Sequence, residues 1–332
     1  MKAIQVRMPG GDFELVERQI PEPSENEVLI RVEACGICHG DAVTKEGHFP
    51  GIIYPRIPGH EVVGRVQKTG PNVTAWKAGQ RVGVGWHAGH CFECEPCRRG
   101  DVWNCVSATT TGISSDGGYA EFMVARAESL VPIPDALSSV DAAPLLCAGR
   151  TTFGALHASG AQGGDLVAVA GIGGLGHLAV QYARKLGFET VAISRGTGKK
   201  ALAQELGAHG FIDTNTASAS AELKKRGGAK VIVCTAPNAK LVADLIEGLR
   251  PGGRLIVVAF TPEILQFPAA LLLAGGRSIT GWVGGNMEDA LRFSVLAGVK
   301  PMVETFRLED ARAGYMKMMS STVHFRAVLK IG

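Results

Sequence analysis

The segment DLVAVAGIGGLGHLAVQYARKLG, residues 165–187, constrains the fold more than any other part of the chain. An apolar run is followed by a glycine-rich turn and by apolar residues at helical spacing, which predicts a buried strand, a tight turn and a helix. Strand and helix patterns then alternate: ETVAIS, KKALAQELG, FIDT, AKVIVCTA, AKLVADLIEGL and GRLIVVAF. Such alternation is typical of parallel sheets with right-handed crossovers, so this part of the chain predicts a doubly wound α/β domain.

The N-terminal part of the chain has a different pattern. Short alternating β-branched runs such as EVLIRVEA and EVVGRVQ are separated by Gly and Pro, which predicts an antiparallel sheet or barrel. At 332 residues the chain exceeds what one hydrophobic core usually covers. We expect a mostly β domain over residues 1–148, an inserted α/β domain over 149–280, and a return segment over 281–332 that completes the first domain.

Composition argues against several classes of partner. The formal net charge is +3 and no run of five Lys or Arg occurs, so nucleic acid and anionic membrane surfaces are not expected partners. No stretch approaches the roughly 20 apolar residues that span a bilayer, and MKAIQVRMPG lacks the apolar core of a signal peptide. We therefore expect a cytoplasmic protein, and in that reducing compartment clustered thiols commonly hold metals.

Four of the eight cysteines lie together in GHCFECEPCRRGDVWNC, residues 89–105. The spacing C-x2-C-x2-C-x7-C on a polar loop is typical of the closed tetrahedral shell of a structural zinc. An iron–sulfur cluster is one alternative, although the longer regular gaps of ferredoxin-type sets are missing, and free cysteines are the other. The predicted ligands of this structural zinc are Cys91, Cys94, Cys97 and Cys105.

The turn G-I-G-G-L-G over residues 171–176 lies between a predicted strand and a predicted helix. Small residues let the backbone approach a pyrophosphate, and the helix N-terminus supplies N–H donors, so the turn predicts dinucleotide binding. Strand-to-helix packing alone is the simpler alternative.

The next predicted strand ends without the Asp or Glu that would hold an adenine ribose hydroxyl. Ser194 and Arg195 stand there, followed by Lys199 and Lys200. Cationic groups without a carboxylate favour a 2′-phosphate, and hence NADP(H) over NAD(H); a solvated basic loop is the alternative. The predicted cofactor-binding residues in this part of the chain are Gly171, Gly173, Gly174, Leu175, Gly176, Ser194, Arg195, Lys199, Thr235 and Val258, with Val283 in the return segment.

A third group of candidate residues is scattered along the chain: Cys38 in GICHGD, His60 and Glu61 in PGHEVVG, and Cys147 in CAGRTT. Thiolates and a neutral imidazole suit zinc, and two Cys with one His leave a coordination position open. Spacing alone does not join these residues, and a lone histidine such as His60 is more often a satisfied core histidine than a ligand.

Together, GICHGD, PGHEVVG, the four-cysteine lobe, CAGRTT and GIGGLG resemble the motifs of zinc-dependent medium-chain alcohol dehydrogenases, including the microbial, yeast-type and cinnamyl alcohol dehydrogenase branches. The resemblance spans essentially the whole chain. It implies an α/β fold in which a GroES-like, mostly β catalytic domain carries an inserted Rossmann domain, with a catalytic zinc in the cleft between them. It further implies hydride transfer between a nicotinamide cofactor and a primary alcohol or its aldehyde, and a homodimer or homotetramer.

The resemblance also implies roles for individual residues. Cys38, His60 and Cys147 match the catalytic zinc ligands, and Glu61 matches an alternate ligand. Asp41 matches the carboxylate that orients the histidine ligand.

Further matches concern the cofactor and the substrate. Thr151 would lie against the nicotinamide, and His39 and Arg326 match positions that contact cofactor phosphates. Trp86 and Trp282 match the wall of the substrate pocket. Cys35 matches no ligand position, so it is expected to be a small buried residue.

The sequence departs from this family at position 40, which is normally a Ser or Thr whose hydroxyl passes a proton between the reacting oxygen and solvent. Gly40 has no such group, and Val43 stands where many relatives have a histidine farther along. We consider three interpretations: an ordered water beside Gly40, a slow enzyme, or conjugate (1,4-) reduction of an α,β-unsaturated aldehyde. A non-catalytic nucleotide-binding protein is a further alternative, although a complete zinc shell argues against it.

Overall fold

The computed structural model describes residues 1–332 and divides them into two compact units. The first unit contains Met1–Cys147, Met287–Leu296 and Lys300–Gly332. The second contains Ala148–Asn286 and Ala297–Val299. Residues 281–286, which we expected in the return segment, therefore group with the second unit.

The first unit begins with short strands and three helices. In chain order they are β1 (Lys2–Val6), β2 (Phe13–Glu17), β3 (Glu27–Ile37), α1 (Gly40–Glu46), β4 (Val62–Thr69), β5 (Arg81–Val84), β6 (His87–Gly89), α2 (Glu95–Arg98), β7 (Thr109–Thr110), β8 (Phe122–Arg126), β9 (Leu130–Pro132) and α3 (Ser139–Pro144).

Helices and strands alternate through the second unit, as the sequence pattern predicts. They are α4 (Arg150–His157), β10 (Leu166–Ala170), α5 (Gly176–Lys185), β11 (Glu189–Ser194), α6 (Lys200–Glu205), β12 (Gly210–Asp213), α7 (Ala219–Lys225), β13 (Ala229–Cys234), α8 (Ala239–Glu247), β14 (Leu249–Val257), α9 (Ala270–Leu273) and β15 (Ser278–Gly281).

The C-terminal part of the chain adds α10 (Met287–Ala297), β16 (Val303–Arg307), α11 (Ala311–Met319) and β17 (Arg326–Lys330). β17 pairs antiparallel with β3, with Ala327 opposite Ile37, so the end of the chain joins the N-terminal sheet. The seven-stranded sheet has the order β16-β17-β3-β4-β5-β9, and β8 also pairs with β3. β3 is therefore the central strand, because it pairs with β17, β4 and β8.

The second unit is built on six parallel strands in the order β12-β11-β10-β13-β14-β15. Counted from β10, this is the strand order 3-2-1-4-5-6 of a doubly wound nucleotide-binding sheet. All five residues of β10 are buried, as expected for a parallel strand covered by helices on both faces. The predicted fold class, a mostly β unit with an inserted Rossmann-type unit, is confirmed.

The segment SVDAAPLLCAGRTTFGALH differs in one detail from the continuous helix that its pattern predicts. α3 ends at Pro144, a π-helical turn covers Leu145–Gly149, and α4 begins at Arg150. Pro144 has no N–H to donate to the preceding turn, which weakens the regular helix there. Wide turns of this kind are frequent at functional sites, and this one contains Cys147.

None of the helices combines the length and the apolar composition needed to cross a membrane. The cytoplasmic location expected from the sequence stays a prediction.

Candidate metal and dinucleotide sites

Four side chains that could hold a metal ion converge in the first unit. Cys38 directly follows β3, His60 and Glu61 directly precede β4, and Cys147 lies in the π-helical turn. The donor atoms of these four residues all lie within 4.8 Å of one another. The sulfur atoms of Cys38 and Cys147 are 3.9 Å apart. Residues that spacing left scattered are therefore brought together by the pairing of β3 with β4 and by the turn after α3.

Asp41 lies behind this group and holds it in place. Its carboxylate accepts hydrogen bonds from the Cys38 N–H (2.8 Å), the Gly59 N–H (3.2 Å) and the Tyr119 hydroxyl (2.8 Å). His60 Nδ1 is 3.1 Å from the same carboxylate, and because a carboxylate only accepts, Nδ1 carries the proton. His60 Nε2 is therefore the ring nitrogen left for a metal, and it has no hydrogen-bond partner in the protein.

Tyr119 is a contributor that the sequence analysis missed. It is fully buried in GGYAEF, and burial together with the nearby Asp41 charge raises its pKa well above the usual range. The tyrosine therefore stays protonated and donates to Asp41. No spacing rule connects two residues that are 78 positions apart, so the sequence offers no signal for this contact.

Glu61 has one carboxylate oxygen fixed and one without a partner. Arg326, the first residue of β17, is 3% exposed and donates to Glu61 Oε1. Glu61 Oε2 is buried and has no hydrogen-bond partner. A Cβ at position 36 would lie only 1.8 Å from Oε2, so Gly36 provides the space for this carboxylate. Burial raises the pKa of Glu61 to about 8, although Arg326 acts in the opposite direction.

These residues fit a zinc ion. The Cys147 thiol hydrogen-bonds to Cys38 and holds the pKa of Cys38 well below its usual range, which favours the thiolate that a metal needs. Burial lowers the pKa of His60, but the charge and hydrogen bond of Asp41 outweigh it and raise that pKa well above the usual range. The imidazolium is therefore favoured without a metal, and a metal that binds Nε2 would displace its proton. Buried Nε2 and Oε2 atoms without partners are costly in a protein interior, and a divalent cation would satisfy both.

The four-cysteine lobe forms a second group in the same unit. The donor sulfurs of Cys91, Cys94, Cys97 and Cys105 lie within 4.8 Å of one another. Backbone N–H groups point at these sulfurs, from Cys94 to Cys91 (3.3 Å) and from Ser107 to Cys105 (3.3 Å). The backbone N–H of Cys97 contributes most to a pKa of about 6 at Cys94. Four converging sulfurs with thiolate-stabilising donors fit a closed structural zinc.

The glycine turn of the second unit has the three properties that a pyrophosphate site needs. Gly171 has φ +92°, which only glycine adopts readily, and this makes the tight exit from β10. A Cβ at Gly176 would lie 1.8 Å from the Gly171 carbonyl oxygen, so α5 packs against the turn without a side chain. A Cβ at Gly173 would meet nothing within 4 Å, which leaves open space for a ligand. The turn therefore fits a dinucleotide.

The other predicted cofactor residues fall in both units. Ser194 ends β11, Arg195 and Lys199 are exposed in the loop that follows, and Gly174 and Leu175 precede α5. The remaining positions in the second unit are Thr151 in α4, Thr235 after β13, Val258 after β14 and the exposed Val283.

His39, which is exposed, and the buried Arg326 belong to the first unit. The two predicted pocket tryptophans are likewise divided, with Trp86 in the first unit and Trp282 in the second. Cys35 is fully buried and is not among the metal-binding groups.

One acidic residue near the Arg195 loop was not predicted. Asp213, at the end of β12, accepts the Gly196 N–H at 2.7 Å and thereby shapes the loop after β11. Asp213 is the last residue of β12, the strand next to β11. An acid that binds the adenine ribose would be expected at the end of β11 itself.

Two family descriptions match the chain. Residues 24–135 match "Alcohol dehydrogenase GroES-like domain", and residues 174–296 match "Zinc-binding dehydrogenase". Alcohol dehydrogenase patD of Penicillium expansum is 41% identical over 96% of this chain and 94% of its own length. This chain belongs to the zinc-dependent medium-chain alcohol dehydrogenase family.

Other members of the family agree over the full length. An alcohol dehydrogenase of Geobacillus stearothermophilus is 38% identical, with 100% of both chains covered. The solved structure of the enzyme CAD from Helicobacter pylori complexed with NADP(H) has a TM-score of 0.88 at 26% identity, covering 99% of this chain and 97% of that one. A solved NAD-dependent alcohol dehydrogenase has a TM-score of 0.91 at 26% identity, with both chains fully covered.

In this alcohol dehydrogenase the space beside Gly40 is filled by two aromatic rings. A Cβ at position 40 would lie 2.7 Å from His60 Cε1 and 2.8 Å from Trp86 Cζ3. The two rings meet edge to face, with centroids 4.8 Å apart and planes at 85°. Ring atoms therefore occupy the position that a Cβ would take at residue 40, and the three interpretations of Gly40 stay predictions.

We expect Gly40→Ser to destabilise the protein by about 1–3 kcal/mol, because the new Cβ must push His60 or Trp86 away. Gly40→Ser with Trp86→Leu should recover part of this loss, since the smaller side chain lets the serine move. Calorimetric unfolding and zinc content measure both effects. Gly198→Ser is the matched control, because a Cβ there meets nothing within 4 Å. Wild-type stability and zinc content in Gly40→Ser would show that the rings are not tightly packed on the glycine.

Proposed function

We propose that this protein is a zinc-dependent alcohol dehydrogenase and aldehyde reductase, which transfers a hydride between NADP(H) and a primary alcohol or its aldehyde. The observation that carries this proposal is the donor set of Cys38, His60 and Cys147, with Glu61 as a fourth group, all within 4.8 Å. Two sulfurs and one imidazole leave a position open for a substrate oxygen, as in catalytic zinc sites. We propose one catalytic and one structural zinc per chain.

The chain's own residues prepare this site. Asp41 fixes the tautomer and the orientation of His60, and its bond to the Cys38 N–H fixes the end of β3. Arg326 holds one oxygen of Glu61, so the other is free to approach or leave the metal position. A zinc ion held by these residues supplies Lewis-acid polarisation of an alcohol or carbonyl oxygen.

Proton transfer differs from the pattern implied by the family. With Gly40 and Val43 in place of the usual relay groups, no side chain at either position takes up the proton of an alcohol. His39 is exposed beside Gly40, and we propose that His39 or solvent exchanges this proton. A positioned acid–base group typically contributes about a hundredfold or more in rate, so we expect a modest turnover.

Neither alternative function is favoured. The relatives compared above are named alcohol dehydrogenases, which supports ordinary alcohol and aldehyde chemistry over conjugate reduction. The four converging donors around Cys38 argue against a silent nucleotide-binding protein, which has no need of an open metal position.

Isotope transfer tests the reaction directly. Cinnamaldehyde is incubated with NADPH deuterated at the transferable C4 position, and NMR locates the deuterium in the product. We expect deuterium on the former carbonyl carbon, because the site is built to polarise the carbonyl oxygen. Deuterium on the β carbon would contradict the proposal and establish conjugate reduction.

The metal requirement is tested with a pair of cysteine variants. Cys38→Ala should abolish activity and lower the zinc content from two ions per chain to one, since it removes a catalytic ligand. Cys35→Ala is the matched control: Cys35 is a buried neighbour outside both metal-binding groups and should keep activity and both ions. Full activity of Cys38→Ala would contradict the proposed zinc chemistry.

We further propose a preference for NADP(H). The support is Ser194–Arg195 at the end of β11 in place of an acidic residue, with Arg195 exposed to a ligand. We expect Arg195→Met to raise the Kd for NADPH about tenfold, the worth of one charged hydrogen bond, and to leave the Kd for NADH unchanged. Fluorescence titration measures both. Equal wild-type affinity for the two cofactors would refute the preference.

We propose a homodimer or a homotetramer. β15 is an edge strand with β14 as its single neighbour, and an unpaired edge is a natural place for strands of two copies to pair around a two-fold axis. Light scattering should give the mass of two or four chains. The 34.8 kDa mass of one chain would contradict this.

A further inference from the structure

Three successive carbonyl oxygens of the glycine turn are each held by a side-chain donor from elsewhere in the second unit. The pairs are Thr235 Oγ1 to Gly171 O (2.7 Å), Lys199 Nζ to Ile172 O (2.6 Å) and His177 Nδ1 to Gly173 O (3.0 Å). The donors come from three places, the end of β13, the loop before α6 and the first turn of α5. The turn is therefore braced at every peptide group from residue 171 to residue 173.

Bracing a carbonyl also orients an N–H group. A trans peptide is planar, so its C=O and the N–H of the next residue point in opposite directions. When Lys199 holds the Ile172 carbonyl, it fixes the direction of the Gly173 N–H. None of the N–H groups of Ile172, Gly173 and Gly174 donates to the backbone, and the space at Gly173 is open. These are the groups that a pyrophosphate would accept hydrogen bonds from.

We propose that Lys199 is a positioning residue of the dinucleotide site, acting through the Ile172 carbonyl on the turn that receives the pyrophosphate. Lys199 would then support the binding of NADPH and NADH equally. Arg195 differs, because we propose that it contacts the 2′-phosphate, which NADH lacks. This inference rests on the proposed function, and it revises the sequence-based expectation in which Arg195, Lys199 and Lys200 together favour a 2′-phosphate.

Two observations distinguish Lys199 from its basic neighbours. Its ammonium group donates to the Ile172 carbonyl at 2.6 Å, and the partial burial of that group, together with the Arg195 charge, lowers the pKa of Lys199. Lys200 is an exposed lysine at the start of α6, one position farther on, and makes no contact with the turn carbonyls. Lys200 therefore places a second ammonium group near the glycine turn without a hydrogen bond to the Ile172 carbonyl, which makes it a matched control for Lys199.

The test is the pair of dissociation constants for NADPH and NADH, measured by fluorescence titration on the zinc-loaded enzyme. Lys199→Met should raise both constants about tenfold, with their ratio unchanged. Lys199→Arg should restore binding, since a guanidinium also donates to a carbonyl. Lys200→Met, which removes an equal charge, should change either constant by no more than about twofold at physiological salt.

Thr235 provides an independent check on the same turn. Thr235→Val removes the hydroxyl that holds the Gly171 carbonyl, whereas Thr235→Ser keeps it. We expect the valine variant to weaken both cofactors and the serine variant to bind like wild type, at unchanged thermal stability for the serine variant. Equal binding by the two variants would overturn the bracing role.

Two other results would overturn the proposal for Lys199. Weaker binding of NADPH alone in Lys199→Met would make Lys199 a ligand of the 2′-phosphate, and unchanged binding of both cofactors would remove any role. These outcomes are distinct from failure of the proposed function. Wild-type protein that binds neither dinucleotide would contradict the proposed enzyme function. An Arg195→Met variant with unchanged Kd values for NADPH and NADH would contradict only the proposed contact of Arg195 with the 2′-phosphate.

Discussion

The buried carboxylate of Asp41 is the interaction on which the metal site depends. It is 1% exposed, and a charge so far from water is tolerated only when hydrogen bonds replace its hydration. Its partners come from the end of β3, the loop before β4 and the segment before β8, which are adjacent strands of one sheet. The same four bonds that satisfy the carboxylate therefore fix where Cys38 and His60 stand before any metal arrives.

Glycines at the metal site and at the glycine turn differ in what occupies the space beside them. Gly36 gives room to the Glu61 carboxylate and Gly40 gives room to two aromatic rings, so both are filled by neighbouring side chains. Gly173 is the opposite case, because the space beside it is open. The first two glycines serve packing inside the protein, and the third leaves room for the dinucleotide that we propose.

Some features of the fold and of the sites could be predicted from the sequence, and others could not. Short-range patterns were sufficient for the four-cysteine lobe and for GIGGLG, because all the groups involved lie within a few residues of one another. The grouping of Cys38, His60 and Cys147 came from the family resemblance alone, since strand pairing brings them together. Tyr119 on Asp41, the ring packing at Gly40 and the braced carbonyls were not predicted, because each depends on side-chain placement across distant segments. The π-helical turn at Cys147 was not predicted, because the spacing of apolar residues there fits a regular helix equally well.

The position of Arg326 has a consequence for the order in which the molecule is made. The groups that surround the metal position are contributed by residues 38, 60, 61 and 147, which are synthesised well before residue 326. Arg326, the cation that pairs with Glu61, starts the last strand of the sheet. Protein domains generally begin to fold as they emerge. Until β17 is added beside β3, the Glu61 carboxyl group faces the other donors without the cation that pairs with it in the folded protein.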